Sequence, residues 1–372
     1  MQLPDILLVA EKIGLQYKKP GIGSMYYICP FCADKGGHLN IVPKANVWRC
    51  SRCGESGGVL DLIQKAGNMS REEAKDYARS LTNAEAIIPV KPFVQVDEVT
   101  NQRAPKEIID RTYRTMLSLL TLAEQDKQDL LRRGLSEKAI EKLMIKTSPE
   151  QLHDHKICDK LLDAGCTLQG VPGFFISRKG EWTLNNFVHG YMVPFIDVDG
   201  YMTGIQTRDR TPKKSSCKYI SLSSTGMTGG AKSFVPAHYI GKESPYSVDA
   251  IILTEGALKA DVATYLWWKL KGKKVAFLAI PGVSNKKALT RALDRIRKEG
   301  GDPVLYDAFD MDKCGNEIVE KNPNVAQAIQ KVYEVCGQYG FQIKPIHWKS
   351  GKGIDDYLLD KITICDNENK TA

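Results

Sequence analysis

Residues 249–270 read DAIILTEGALKADVATYLWWKL, an apolar run followed by Thr-Glu-Gly and a long helical pattern. The apolar run predicts a buried strand over residues 250–254, and a helix is expected over residues 257–270. Further strands are expected over residues 274–280, 303–309 and 341–346, and further helices over residues 284–299 and 323–339. Strands that alternate with helices at this spacing predict a parallel sheet with helical crossovers.

Acidic residues follow three of these strands. Glu255 follows the first strand, Asp310 and Asp312 follow the third, and Asp355 and Asp356 follow the fourth after a basic turn. Ligands of an open parallel sheet bind beyond the carboxyl ends of the strands, so we expect these side chains to converge. A lone acid in such a place is usually a solvated loop residue. Converging carboxylates need cations, and hard oxygen ligands favour Mg²⁺ or Mn²⁺, so we expect these acids to bind such an ion.

Two pairs of cysteines predict a zinc site near the N-terminus. Cys29-Pro-Phe-Cys32 is followed after seventeen residues by Cys50-Ser-Arg-Cys53. Each Cys-x-x-Cys turn directs two thiolates at one metal, and two such turns complete a closed tetrahedral Zn²⁺ site, which is structural rather than catalytic. The segment between the pairs is expected to form a hairpin, which would make a zinc ribbon. Two unrelated thiol pairs are the alternative, and the paired spacing disfavours them.

Two groups of basic and aromatic residues are candidates for contact with DNA or nucleotides. Around the cysteines lie Trp48, Arg49 and Arg52, which could stack bases and hold phosphates, although Trp48 could instead pack the ribbon core. Residues 206–218 hold five basic residues and one acid; the basic residues are Arg208, Arg210, Lys213, Lys214 and Lys218. We expect Arg208, Arg210 and Lys218 to contact DNA or NTP phosphates, and a solvated loop is the alternative. Lys232, in a segment that resembles a P-loop incompletely, is also expected to face nucleotide phosphates.

Composition indicates an ordinary globular chain. Its 372 residues include 42% hydrophobic and 26% charged residues, with a net charge of +8, and this length predicts two or three domains. No apolar run reaches the length of a membrane span, and the N-terminus has no basic stretch typical of a signal peptide. We therefore expect a cytoplasmic protein with no membrane partner, in which the scattered cysteines stay reduced.

The predicted fold class is α+β with several domains. A zinc ribbon is expected over residues 1–81, a linker over 82–105, a helical and then basic β subdomain over 106–247, a catalytic α/β domain over 248–361, and a tail over 362–372. Within the first domain, Ser70 and Glu73 have the spacing of a capping box at the start of a helix. The segment around Asp199 and Gly200, between two apolar runs, predicts a β-hairpin.

Three motifs resemble the signatures of the TOPRIM domain, which DnaG-type primases share with topoisomerases and some nucleases. They are Thr-Glu-Gly at residues 254–256, Asp-Met-Asp-Lys-Cys-Gly at residues 310–315, and Gly-Lys-Gly-Ile-Asp-Asp-Tyr-Leu at residues 351–358. The resemblance implies an α/β TOPRIM domain with a parallel-rich sheet. It also implies that four acids are catalytic metal ligands: Glu255, Asp310, Asp312 and Asp355. Two residues depart from the family pattern: Met311 replaces the usual Gly, and Gly353 stands in the place of the first Asp of the last motif.

The remaining motifs resemble DnaG-type primases in the order of that family. The cysteine pairs resemble the family's zinc domain, with Cys32 where most members have His. Residues 131–137 resemble its helical region, and residues 193–208 with Lys218 resemble its basic template groove. Because the sequence ends soon after the TOPRIM motifs, the resemblance is to the compact form of phages and mobile elements, which lacks the helicase-docking domain.

This resemblance implies a DNA primase that makes short RNA primers on single-stranded DNA by metal-dependent nucleotidyl transfer. NTPs and template DNA would be its substrates, and a replicative helicase would act in trans. Two alternatives stay open: a TOPRIM-type nuclease acting on DNA, and a non-catalytic zinc-ribbon DNA-binding replication protein. A type IA topoisomerase is disfavoured because it needs a large additional domain.

Overall fold

The computed structural model describes residues 3–21, 23–32, 34, 36–82, 102–150, 154–177, 179–186, 188–212, 218–272, 275–313 and 323–371. Most of the predicted linker lies outside these residues, as do Lys213, Lys214 and the end of the predicted 310–315 motif. The chain forms two compact units. The first consists of Met1–Arg103, Leu168–Phe187 and Ser223–Lys232, and the second of Ala104–Thr167, Val188–Leu222 and Ser233–Ala372.

The first unit contains a small antiparallel sheet and three helices. Its helices are α1 (Ile6–Lys12), α2 (Val59–Gly67) and α3 (Arg71–Thr82). Its sheet has the order β1 (Tyr17–Gly21), β2 (Ser24–Tyr27), β3 (Leu39–Val42), β4 (Val47–Cys50) and β5 (Ser56–Gly58), and a separate hairpin is made by β7 (Phe174–Ile176) and β8 (Trp182–Leu184). Strands β3 and β4 pair antiparallel with Leu39 opposite Cys50, which confirms the hairpin predicted between the cysteine pairs.

The second unit begins with helices and an antiparallel sheet. The helices are α4 (Lys106–Leu119), α5 (Glu124–Arg132), α6 (Glu137–Lys142) and α7 (Asp154–Asp163). The sheet contains β6 (Lys146–Thr147), β9 (Gly190–Ile196), β10 (Met202–Asp209) and β11 (Tyr219–Ser221) in the order β11-β10-β9-β6. Strands β9 and β10 form the predicted hairpin, with Gly200 in the left-handed region (φ 88°) at its turn.

A second sheet of this unit is mostly parallel. Its strands are β12 (His238–Ile240), β13 (Ala250–Glu255), β14 (Ala276–Ile280), β15 (Val304–Asp307) and β16 (Ile343–Pro345), in the order β12-β14-β13-β15-β16. Only β12 runs antiparallel to its neighbour; the other pairs are parallel. The helices around it are α8 (Ala257–Lys271), α9 (Lys286–Lys298), α10 (Pro323–Gln338) and α11 (Ile354–Thr371). The predicted α+β class with a parallel-rich sheet is therefore confirmed.

Strand β13 is buried on both faces, which explains its continuous apolar run. Ile252 packs in one hydrophobic core with residues of α8, whereas Ile251 and Leu253 pack in another with residues of α9 and α10. Gly256 joins the strand directly to α8 with φ 86°, a conformation that favours glycine. Strand and helix are thus connected by one residue, which fixes the position of the first helical turn relative to Glu255.

Among the described residues, no helix is both long enough and apolar enough to span a bilayer.

Candidate metal centre and active site

The four predicted zinc ligands lie together in the first unit. Cys29 Sγ lies 3.8 Å from Cys53 Sγ, and Cys32 Sγ lies 3.9 Å from Cys50 Sγ. All four sulfurs are within 4.8 Å of one another, and all four residues are buried. A tetrahedron with Zn–S bonds of about 2.3 Å has S–S edges of about 3.8 Å. The tetrad therefore fits Zn²⁺ without rearrangement.

A bound cation would balance the charge of the four thiolates. Hydrogen bonds to the other three sulfurs, together with burial, raise the pKa of Cys29 far above its ordinary value. Four thiolates cannot share this buried space unless a metal neutralises them, because burial disfavours uncompensated charge. Distances and charge thus agree on a closed, structural zinc site.

Asp34 organises the turn that carries the first cysteine pair, and sequence reasoning did not identify it. Its buried carboxylate accepts hydrogen bonds from the backbone N–H groups of Cys29 (2.9 Å), Gly36 (2.8 Å) and His38 (2.7 Å). Burial alone would raise the pKa of Asp34, but these hydrogen bonds and the His38 ring lower it below its ordinary value. A carboxylate with several N–H donors fixes the loop that aims the thiolates.

The residues predicted to bind DNA on the ribbon have different surroundings. Trp48 is only 2% exposed, its indole N–H donates to the carbonyl of Gly58 (3.1 Å), and its ring packs on Phe31. Trp48 is therefore a core residue, the alternative that the sequence left open. Arg49 is exposed, and the Arg52 guanidinium lies 3.8 Å from Asp34.

A pocket of about 330 Å³ lies in the second unit at the carboxyl edge of the parallel sheet. Charged residues of both signs line it. The acids are Glu255, Asp310 and Asp355, and the basic residues are Arg133, Lys218, Lys259 and Lys352. Three of the four predicted catalytic acids therefore share one pocket. Asp312 is not among its lining residues.

Two lysines stand between the acids. Lys259, in the first turn of α8, forms an ion pair with Asp310. Lys352 lies 2.8 Å from a carboxylate oxygen of Asp312 and 3.9 Å from one of Asp310. The backbone N–H of Met311 donates to the Lys352 carbonyl (3.0 Å), which holds the two loops together. Asp312 is therefore connected to the pocket through Lys352.

The acids are not clustered at metal-binding distance. In the part of the chain that the structure describes, the cysteine tetrad is the group of three or more candidate ligands with all ligand atoms within 4.8 Å. At the predicted joint site of Glu255, Asp310, Asp312 and Asp355, ammonium groups instead pair with two of the acids: Lys259 with Asp310 and Lys352 with Asp312. Carboxylate oxygens are the donors that Mg²⁺ prefers, and the Lys352 ammonium, on a side chain 60% exposed, stands where a cation between Asp310 and Asp312 would fit. The donor set thus fits a hard divalent ion.

Burial changes the acid–base properties of the pocket. Burial raises the pKa of Asp355, and the nearby Lys259 opposes this shift. Burial, followed by repulsion from Arg208 and Arg133, lowers the pKa of Lys218. Both shifts reflect charges held close together with little water, so the pocket favours a ligand that brings compensating charge.

Of the described basic residues in the segment 206–218, only Lys218 lines the pocket. Arg208 forms an ion pair with Asp129 (2.8 Å) and lies over the ring of Tyr191. Arg210 binds both carboxylate oxygens of the buried Asp126, at 3.0 and 2.8 Å. Both arginines thus have acidic partners on α5. Lys232 belongs to the first unit, where its side chain is exposed.

Sequence reasoning missed Arg133 and Lys259 as pocket residues. Arg133 follows α5 and lies 3.2 Å from Asp129. Lys259 lies four residues after Glu255, so one helical turn brings it to the same side as the strand end. That spacing was the available signal for Lys259, whereas the position of Arg133 depends on contacts between distant segments.

Comparison with known proteins identifies the class of the first unit. Residues 4–88 match the family model of the CHC2 zinc finger, a zinc ribbon of the DnaG type. The N-terminal part of the chain is therefore a CHC2 zinc finger, and the predicted resemblance to the DnaG zinc domain is confirmed there. Residues 247–363 match a family model described as a domain of unknown function (DUF3854). No curated protein matches the chain.

Solved structures of primases resemble this chain over about two thirds of its length or more, at low identity. The zinc-binding and RNA polymerase domains of the Aquifex aeolicus primase are 16% identical, with 96% of this chain and 80% of that chain covered and a TM-score of 0.49. The RNA polymerase domain of Mycobacterium tuberculosis primase DnaG is 14% identical, with 69% and 80% covered and a TM-score of 0.49. The E. coli primase catalytic core is 14% identical, with 68% and 75% covered and a TM-score of 0.43.

Proposed function

We propose that this protein is a DnaG-type DNA primase that synthesises short RNA primers on single-stranded DNA. The observation that carries the proposal is the pocket at the carboxyl edge of the parallel sheet. It combines Glu255, Asp310 and Asp355 with Lys218 in a chain whose N-terminal part is a CHC2 zinc finger. Each of the three TOPRIM-like motifs of the sequence provides one of these acids.

Each group in the pocket has a proposed task in nucleotidyl transfer. Glu255, Asp310, Asp312 and Asp355 would hold Mg²⁺ or Mn²⁺. When bound, the metal would neutralise charge on the transferring phosphoryl group and acidify the primer 3′-hydroxyl. Lys218 and Arg133 would bind the NTP triphosphate, because both present positive charge to the same pocket as the acids.

The first unit would select the template. A closed zinc site holds the ribbon rigid, and the exposed Arg49 provides a phosphate contact on its surface. Arg208 and Arg210 would stabilise the position of α5 rather than bind substrate, because their guanidinium groups are paired with Asp129 and Asp126. A replicative helicase acting in trans is part of the proposal.

An assay of de novo primer synthesis tests the proposal. The full chain is incubated with single-stranded DNA, Mg²⁺ and labelled NTPs, and we expect short RNA products. Glu255→Gln and Asp310→Asn should each reduce synthesis by roughly 100-fold or more, because each removes a carboxylate that would hold the metal ion neutralising the transferring phosphoryl group. Asp302→Asn is the matched control, since this exposed acid precedes the amino end of the strand that Asp310 follows.

The same incubation separates the alternatives. Cleaved DNA without primers would replace the proposal with a TOPRIM-type nuclease. Neither product, combined with DNA binding, would favour a non-catalytic DNA-binding protein. Full synthesis by both acid variants would reject the assigned catalytic residues.

A further inference from the structure

The two lysines that pair with the acids differ in how they are held. Lys259 lies on a helix, its side chain is 19% exposed, and its partner Asp310 is 10% exposed. Lys352 lies on a loop, its side chain is 60% exposed, and its partner Asp312 is 53% exposed. Water can replace the contacts of Lys352 at little cost, whereas Lys259 is part of the packed pocket.

Lys259 fills the space beside Gly353. A Cβ atom added to Gly353 would lie 3.3 Å from the Lys259 Nζ, 3.2 Å from its Cε and 2.4 Å from an oxygen of Asp355. The Lys259 ammonium is thus close to Asp355 and paired with Asp310 at the same time. A further acidic ligand at position 353 would have to displace these atoms, so this side of the pocket is already occupied by positive charge.

The helix that carries Lys259 is held in one orientation. His238 lies 2.9 Å through Nε2 from the Asp261 carboxylate, and its Nδ1 accepts the backbone N–H of Ile196 (2.9 Å). Both side chains are buried. Because Asp261 is two residues after Lys259 on α8, this contact and the direct junction at Gly256 fix the first turns of the helix.

We propose that Lys259 is a built-in cation that takes the place of one divalent metal ion. The pocket then binds a single Mg²⁺ or Mn²⁺, on the side of Asp310 and Asp312, where it displaces the exposed Lys352. Lys259 provides the fixed positive charge on the side of Asp310 and Asp355. This inference rests on the proposed metal-dependent function and specifies how many ions that function uses.

The stoichiometry of Mn²⁺ binding tests this inference without relying on activity. The full chain with zinc in its cysteine site is titrated with Mn²⁺, and free Mn²⁺ is measured by electron paramagnetic resonance. The wild-type chain should bind one Mn²⁺ in the pocket. Lys259→Met, which keeps the length of the side chain but not its charge, should bind two, because Asp310 and Asp355 lose their fixed counter-charge.

Two control variants separate this role from a general effect of charge. Lys259→Arg keeps the cation and should bind one Mn²⁺, like the wild type. Lys271→Met removes a lysine at the far end of the same helix, about 18 Å along its axis, and should also bind one. Circular dichroism and zinc content verify that each variant is folded.

Each outcome decides the inference. Two Mn²⁺ ions in a wild-type chain that makes primers would overturn the role of Lys259 and leave the proposed function intact. An unchanged stoichiometry and affinity in Lys259→Met would also overturn it. A wild-type chain that binds no Mn²⁺ in the pocket and makes no primers would reject the proposed function, and the inference with it.

Discussion

The cysteine tetrad and the acidic pocket are both built from residues far apart in the sequence, yet their geometries differ. The sulfurs lie at the distances of a zinc tetrahedron. The carboxylates of Asp310 and Asp312 are instead paired with Lys259 and Lys352. A closed structural site is fully specified by its turns. A site that must admit substrate instead balances its carboxylates with ammonium groups that a metal or a substrate can displace. The following experiments test this difference between the two sites.

The largest effect is expected from the tetrad. Cys50→Ser removes one of four zinc ligands, and metal binding at such sites contributes on the order of 10 kcal/mol to folding. We expect loss of stoichiometric zinc and of protease resistance in the first unit. Cys365→Ser, at an exposed cysteine outside the tetrad, should keep both. Retention of one zinc per chain by Cys50→Ser would contradict a four-cysteine site.

The second effect concerns the paired arginines. Arg210→Ala should lower the free energy of unfolding by about 3 kcal/mol, because the buried Asp126 loses its cationic partner and is left with the hydrogen bond from the Thr147 hydroxyl. Arg132→Ala, which removes an 80% exposed side chain paired with Asp129, should change it by less than about 1 kcal/mol. Chemical denaturation measures both. If Arg210→Ala instead changed the stability little and strongly reduced DNA binding, the predicted contact of Arg210 with phosphate would be supported.

The third effect is a dependence on pH at Asp355. Its pKa is raised in the folded protein, so the folded state binds more protons than the unfolded state and loses stability as pH rises through this window. Asp355→Asn should therefore stabilise the fold at pH 7 by about 1 kcal/mol and have no such effect below about pH 4.

Thermal unfolding at several pH values measures this difference, with the exposed Asp360→Asn on the same helix as the control. An Asp355→Asn variant less stable than the wild type at pH 7 would show that burial of the ionised Asp355 carboxylate does not destabilise the fold.

The smallest effect is expected on the ribbon surface. Arg49→Ala should weaken binding of single-stranded DNA a few-fold. It should also reduce the slope of log affinity against log salt concentration by about 1, because one phosphate contact is lost. The stability of the unit should not change, because Arg49 is exposed. Fluorescence anisotropy at several salt concentrations measures this. An unchanged salt dependence would exclude Arg49 from the phosphate contacts.

Local signals predicted much of the fold. The Ser70 and Glu73 capping box forms as expected, with the Glu73 carboxylate accepting from the Ser70 N–H and the Ser70 hydroxyl accepting from the Glu73 N–H. The hairpin at Asp199 and the strand before Glu255 also follow from short-range patterns. These elements depend on neighbours within a few residues, which the sequence displays directly.

Long-range pairings could not be read in the same way. Arg208 and Arg210 stand in a basic segment, but their acidic partners lie on a helix about eighty residues earlier in the chain. Trp48 is an aromatic residue among basic ones, a combination typical of a DNA-binding surface. Only the packing of the ribbon shows that its side chain is buried. The sequence shows which residues are charged or aromatic, whereas the tertiary fold determines which residues they contact.

The single-residue junction at Gly256 sets the rotation of α8 relative to Glu255, and therefore the position of Lys259 in the pocket. An α-helix turns by about 100° per residue, so one extra residue between Glu255 and α8 would swing the Lys259 ammonium away from Asp310. An insertion at this point would therefore disrupt the charge arrangement even if every functional side chain were kept.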